Sequence, residues 1–249
     1  MPSISVDYCL FDLDGTIVST TIAAERTWRS YCSKHGVDPE ELFRVSHGSR
    51  TNEMLSRFFP NIDNTDNKAV KELELDLATN HLDTVTLIKG AEDLLLSLDK
   101  DTETGKPLKS RKWAIITSGS PYLAFSWFDS ILKHVGKPDV FVTGFDVKVG
   151  KPDPEGYKKA AVELSEIWEK PAEDISKLQT VVFEDAPVGI MAGKAMGAKT
   201  IGITSSYDKS VLFEAGADYV VSDLRQVRVT QNSNDGKIIL EITNPLSRD

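Results

Sequence analysis

The chain's chemistry-bearing residues gather at four places, and the first is LFDLDGTIV (10–18). There two carboxylates, Asp12 and Asp14, end an apolar run. Burying a carboxylate among Leu, Phe, Ile and Val is expensive unless a cation or hydrogen bonds compensate. Residues i and i+2 of a strand point to one side, so both acids can face one pocket while Leu13 packs the other way. Gly15 then lets the chain turn sharply. The second place is Thr117-Ser118-Gly119-Ser120-Pro121, where Ser120 suits an N-cap and Pro121 the first helical position. A small, backbone-rich turn opening a helix favours an anion, and Ser118 could add a hydroxyl. The third is Gly150-Lys151-Pro152-Asp153-Pro154, a stiff loop carrying one ammonium, with Asp153 and Pro154 as N-cap and first helical residue. The fourth is Phe183-Glu184-Asp185-Ala186-Pro187, two more acids before a proline-started helix.

Each signal alone has an ordinary explanation: a solvated strand end, a capped helix, a surface lysine. Together they bring carboxylates, a hydroxyl, backbone N–H groups and a lysine to one rim. Oxygen ligands of that kind suit Mg²⁺, which takes one or two carboxylates plus a phosphate oxygen. Four independent helix caps would not need that set.

The elements that must position these residues alternate. Strand-like runs at 8–12, 112–117, 139–144, 180–184, 199–204 and 218–222 are mostly continuous in hydrophobicity, as in strands covered on both faces. Helical spacing marks PYLAFSWFDSILKHVG, PEGYKKAAVELSEIWE and PVGIMAGKAMG between them. Strand and helix in alternation predict an α/β fold with a doubly wound parallel sheet, whose ligands bind beyond the strands' carboxyl ends. Residues 17–89 break the rhythm with four helical patterns and no convincing strand, which predicts a helical insertion. Gly90 opens a helix leading back to the sheet, and 100–112 is a polar surface loop. VRVTQNSNDGKIILEI predicts a hairpin turning near Asn234-Asp235-Gly236.

At 249 residues with 40% hydrophobic content, a sizeable core is available, and the net charge of −9 argues against nucleic-acid binding. The two cysteines, Cys9 and Cys32, form no C-x-x-C and no disulfide framework. The N-terminus lacks a basic, then apolar, signal pattern, and no stretch approaches a membrane span. These features predict a soluble cytoplasmic protein with no membrane partner, expected to be a monomer. GKAMGAKT (193–200) imitates a phosphate-binding loop, but Ala198 replaces the glycine before the lysine, and NIDNTDN (61–67) lacks the Gly and closing Glu of a calcium loop. The four tryptophans read as packing.

The order DLDGT, TSGS, GKPDPEGY and FEDAPVGI resembles the four motifs of haloacid-dehalogenase-superfamily phosphotransferases, over residues 8 to about 222. The insertion resembles their helical C1 cap. More narrowly, LFDLDGTIVSTTIAAE, SHGSRT, KWAIITSGSPYLAFSWF and VVFEDAPVGI resemble fungal 2-deoxyglucose-6-phosphate phosphatases, with glycerol-3-phosphate phosphatases near them. The resemblance implies a Rossmann-like core over 1–16 and 90–249 and a cap over 17–89. It implies Asp12 as a nucleophile forming an aspartyl-phosphate and Asp14 as general acid, then base. Ser118, the Gly119 N–H and Lys151 would hold the phosphoryl group. Mg²⁺ would lie on Asp12, the Asp14 carbonyl and Asp185, supported by Glu184. Arg50 and His47, in the cap segment 46–51, are the candidates for substrate selection; both could instead simply begin a helix on a wet surface. Thr16 belongs to the first motif and is read equally as bonding the turn or as taking a direct role. The expected activity is hydrolysis of small sugar phosphates, with a polyol phosphatase, a sugar phosphomutase, a phosphate-storing signalling module and an inert interaction scaffold as alternatives.

Overall fold

The structure is a computed structural model that describes residues 1–170 and 177–248. In chain order it begins with β1 (Ser3–Val6), β2 (Tyr8–Phe11) and β3 (Val18–Ser19). Four helices follow: α1 (Thr21–His35), α2 (Pro39–Ser46), α3 (Thr51–Phe58) and α4 (Lys68–Asn80). Next come β4 (Thr86–Leu87), α5 (Ala91–Leu98), β5 (Trp113–Ile116), α6 (Pro121–Asp129), β6 (Phe141–Val142) and α7 (Glu155–Ile167). The chain ends with β7 (Thr180–Glu184), α8 (Pro187–Ala195), β8 (Lys199–Ile203), α9 (Lys209–Glu214), β9 (Tyr219–Val221), β10 (Val227–Gln231) and β11 (Ile238–Ile242).

Six strands form one parallel sheet in the order β6-β5-β2-β7-β8-β9. Its central strand, β2, is buried along its whole length, and the period of two sorts its side chains onto opposite faces. Cys9 and Phe11 join Trp113, Ile115, Val181 and Phe183 in one core, with Leu94, Leu95 and Trp127 from α5 and α6. Tyr8 and Leu10 join Ala114, Ile116 and Val182 in a second core, with Tyr157, Ala160 and Leu164 from α7. Two apolar faces explain why these strands read as unbroken hydrophobic runs, and they make the doubly wound arrangement that was expected.

Helices α1–α4 carry a hydrophobic cluster of their own, including Trp28, Cys32, Leu42, Leu55, Phe59 and Leu73. Ala23 of α1 and Leu77 and Ala78 of α4 instead join the sheet's core, so these helix ends are anchored to it. The chain crosses between helices and sheet twice, and β3 pairs antiparallel with β4 at those crossings. The expectation of no strand in 17–89 is thus corrected. A two-residue strand is too short to show periodicity, and only the meeting of two distant segments creates it. The predicted hairpin is present as β10 and β11, but a third strand joins it: β1 pairs with β11. The SISV segment alternates exposed and buried residues, a pattern the sequence reading passed over. Among the described residues, no helix is long and apolar enough to cross a membrane.

Candidate active site

Parallel register assembles the site. Phe11 lies opposite Ile115 on one side and Phe183 on the other. The residues just beyond those, Asp12, Ile116 and Glu184, therefore emerge side by side at the carboxyl edge of the sheet. Lys151 reaches into this row from the loop before α7. Its Nζ donates to Asp12 Oδ1 and to Glu184 Oε1, each at 2.6 Å, and to the Ile116 carbonyl at 3.3 Å. Glu184 takes two further donors: Tyr157 Oη at 3.0 Å on Oε1 and the Ala186 N–H at 2.9 Å on Oε2. Burial alone would pull the Lys151 ammonium down, but Asp12 and Glu184 outweigh it and hold the lysine well above its ordinary value.

One lysine does not balance this row. Oxygens of Asp12, Glu184 and Asp185 lie within 4.8 Å of one another, all three residues buried. Burial pushes Asp12 up to about 7, with Lys151 pulling it back and Glu184 adding to the rise. Asp185 is driven well above the carboxylate range by burial and then by Glu184 and Asp12. Asp12 Oδ2 is buried without any hydrogen-bond partner. An unpartnered buried oxygen inside a repelling, all-oxygen cluster is the donor set that a hard divalent cation satisfies, so these residues fit a metal.

Asp14 sits apart from the lysine. It accepts from Trp127 Nε1 at 3.0 Å and from Thr117 Oγ1 at 3.3 Å. Burial raises its pKa, and the bonds from Trp127, Thr117 and Thr20 offset that only in part. Burial thus raises both carboxyls, and what separates them is their partners: a lysine at Asp12 and uncharged donors at Asp14. The turn between them depends on Gly15. Its φ is +94°, and a Cβ there would stand 2.0 Å from Asp185 Oδ2. Thr16, read as either bonding the turn or acting directly, does bond it through its backbone. Its N–H donates to the Leu13 carbonyl at 3.3 Å, whereas its Oγ1 is buried without a partner.

The helical insertion closes the other side of a cavity of about 110 Å³. Asp12, Asp14, Asp185, Ser118, Gly119 and His47 all line it. Ser118 Oγ donates to the Gly48 carbonyl at 2.7 Å, and the Gly119 N–H to Thr117 Oγ1 at 3.0 Å. Ser120 caps α6 as expected, its hydroxyl accepting from Tyr122 N at 3.2 Å. Its own N–H points at Glu74 of α4, 3.0 Å from Oε2, and its hydroxyl also bonds that carboxylate. His47 faces Tyr207 edge to face at 5.7 Å, and burial lowers its pKa although Glu25 pulls it up. Arg50 lies outside the cavity lining. Its guanidinium donates to the carbonyls of Gly144, Val147 and Lys148 and to Glu53 at 2.6 Å.

One capping expectation shifts by one residue. Pro154 rather than Asp153 is the N-cap of α7, although Asp153 Oδ1 still accepts from Glu155 N at 2.9 Å. Ala186 is the N-cap of α8, which leaves Asp185 free of capping. Its carboxylate bonds Ser206 Oγ instead. Ser206 escaped the sequence reading, yet it follows β8, a fifth strand end to which the same rule applies. Tyr157 lies within the GKPDPEGY motif, and only the fold turns its hydroxyl onto Glu184. Trp127 packs as expected but also holds Asp14. Glu74, one of three acids with Glu72 and Asp76 on a helical pattern, carried no signal.

The description "Hydrolase: haloacid dehalogenase-like hydrolase" matches residues 6–197. The chain is 67% identical, over the full length of both proteins, to 2-deoxyglucose-6-phosphate phosphatase 2 of Saccharomyces cerevisiae. It is 38% identical over 228 residues to glycerol-1-phosphate phosphohydrolase 1 of the same organism, covering 91% of this chain and 86% of that one. Its fold matches a crystal structure of a hydrolase from Pseudomonas syringae with a TM-score of 0.67 and 24% identity, covering 88% of this chain and 94% of the other. This chain belongs to the haloacid dehalogenase-like hydrolase family.

Proposed function

We propose that the chain is a Mg²⁺-dependent phosphomonoesterase that hydrolyses small sugar phosphates of the 2-deoxyglucose 6-phosphate kind, with polyol phosphates as further substrates. The 67% relative supports the sugar and the 38% relative the polyol. The observation that carries the chemistry is the buried triad Asp12, Glu184 and Asp185 around Lys151, with Asp14 held protonatable beside it.

In this reading Asp12 attacks phosphorus and becomes an aspartyl-phosphate, splitting one displacement into two. Asp14 gives its proton to the departing alkoxide and then takes one from the water that cleaves the intermediate. Lys151 is locked between Asp12 and Glu184, so it meets incoming phosphoryl charge from a fixed point. Ser118 Oγ and the Gly119 N–H exchange their bonds to Gly48 and Thr117 for phosphoryl oxygens. Asp12, the Asp14 carbonyl and Asp185 would hold Mg²⁺, and Glu184, held by Lys151, Tyr157 and the Ala186 N–H, supports them. When bound, Mg²⁺ supplies neutralisation of charge on the transferring phosphoryl oxygens.

The catalytic core is read as 1–16 and 90–249, of which 171–176 and 249 lie outside the described residues, and the lid as 17–89. The separate cluster of Trp28, Leu42 and Phe59 supports that division. The reading places the enzyme in the cytoplasm as a monomer acting on a small molecule, without nucleic acid or membrane. Asp12→Asn is expected to lower phosphate release by about a thousandfold or more. Chelation should silence the parent enzyme and Mg²⁺ restore it. Activity surviving either treatment sinks the assignment, and a release screen over hexose, deoxyhexose, pentose and polyol phosphates ranks the substrates.

A further inference from the structure

The part of the cavity facing away from the sheet is walled by the insertion, with Thr21, Glu25, Trp28, Phe43, Ser46 and His47 in its lining. Trp28 and Phe43 offer flat apolar surface of the kind that covers the C–H face of a sugar. Ser46, Thr21 and His47 offer neutral polar atoms. Glu25 brings a carboxylate that takes no hydrogen bond from any described residue and stands within electrostatic reach of His47. Among the described residues, no Lys or Arg lines this cavity. Of the arginines near these positions in sequence, Arg26 pairs with Asp83, Arg29 pairs with Glu40 and Arg44 is exposed, while Arg50 has its guanidinium committed to three carbonyls of the 144–148 loop and to Glu53.

We infer that Glu25 is the specificity-determining residue of the lid: its carboxylate accepts hydroxyls of a neutral sugar or polyol and turns away substrates that carry a second anionic group. This deepens the phosphomonoesterase reading and rests on it. An ionised carboxylate accepts from adjacent hydroxyls at both oxygens, and such charge-assisted bonds are strong. The same charge in a half-closed cavity opposes a distant carboxylate or phosphate, which is specificity through repulsion. The arrangement also disfavours a mutase cycle. Returning the phosphoryl group to a different hydroxyl requires a bisphosphorylated sugar to reseat with its second phosphate in the lid half. There it would meet Glu25, with no Lys or Arg among the described lining residues.

The test uses a matched pair, glucitol 6-phosphate and 6-phosphogluconate, which differ at the far end by a hydroxymethyl against a carboxylate. The measured quantity is the ratio of kcat/KM for 6-phosphogluconate over glucitol 6-phosphate. Glu25→Gln is expected to raise this ratio about tenfold, Glu25→Lys to raise it further, and Glu25→Asp to leave it near the parent value. A ratio that stays the same in the Gln and Lys variants overturns the inference, as does an equal rise in Glu25→Asp. A parent enzyme that releases phosphate from neither compound counts against the phosphomonoesterase reading itself.

Discussion

At the scale of single residues, Asp12 and Asp14 sit two positions apart yet occupy different electrostatic worlds. Asp12 bonds a lysine at 2.6 Å, whereas Asp14 takes its hydrogen bonds from the neutral donors Trp127, Thr117 and Thr20. In the proposed mechanism Asp14 hands over a proton, and burial keeps its pKa raised although those bonds pull it down. Trp127→Phe keeps the ring in the core and removes the N–H that aims Asp14. Proton donation matters most when the leaving group is a poor one. The variant is therefore expected to lose about tenfold in kcat on an alkyl phosphate and much less on a nitrophenyl phosphate. Equal losses on both substrates would show that Trp127 acts through packing alone.

At the scale of elements, helix α8 shows how closely the backbone approaches the site. A Cβ on Gly189 would lie 1.7 Å from Glu184 Oε1, so the helix can approach this strand end only without a side chain there. In an ordinary helix interior, Gly→Ala stabilises by about 1 kcal/mol. Here the added methyl must push the Glu184 carboxylate away from Lys151 and Tyr157. Gly189→Ala is expected to lower the melting temperature and reduce phosphate release by about tenfold or more. Both follow from thermal melting and a release assay, and a stabilised, fully active variant contradicts the packing described. The same tightness explains the composition of PVGIMAGKAMG: its small residues reflect close approach to β7 and β8, with Gly193 against Val182 and Thr200.

At the scale of the whole molecule, the helical insertion meets the sheet through polar bonds as well as through the apolar anchors Ala23, Leu77 and Ala78. Glu74 of α4, which also takes the Thr51 hydroxyl at 2.6 Å within the insertion, accepts the N–H and hydroxyl of Ser120, Ser118 reaches Gly48, and Arg50 clamps the 144–148 loop. Burial raises Glu74 from 4.5 to about 7, although the Ser120 and Thr51 bonds pull it back. The folded protein then holds more protons than the unfolded chain between those two values. Stability accordingly falls as pH rises through that window, by roughly 3 kcal/mol for this group. Glu74→Gln keeps an acceptor for Ser120 and removes the buried charge. With Mg²⁺ present, melting temperatures at about pH 5 and about pH 8 should differ less in the variant than in the parent. An unchanged difference would mean that the lid contact is not where this proton resides.

The sequence by itself determined the local chemistry and the fold class. Asp12, Asp14, Glu184 and Asp185 stand at strand ends that unbroken apolar runs announce, Lys151 stands in the proline-stiffened loop that opens the next helix, and period and composition are properties of neighbouring residues. The tertiary structure alone decided who meets whom. Parallel register set Lys151 between two carboxylates, strand β8 brought Ser206 to Asp185, and β1 joined a hairpin more than 200 residues away. It also turned Arg50 toward loop carbonyls and left Glu25 facing the cavity. Side-chain partners separated by long stretches of chain leave no periodic trace, because their meeting is fixed by packing rather than by local propensity.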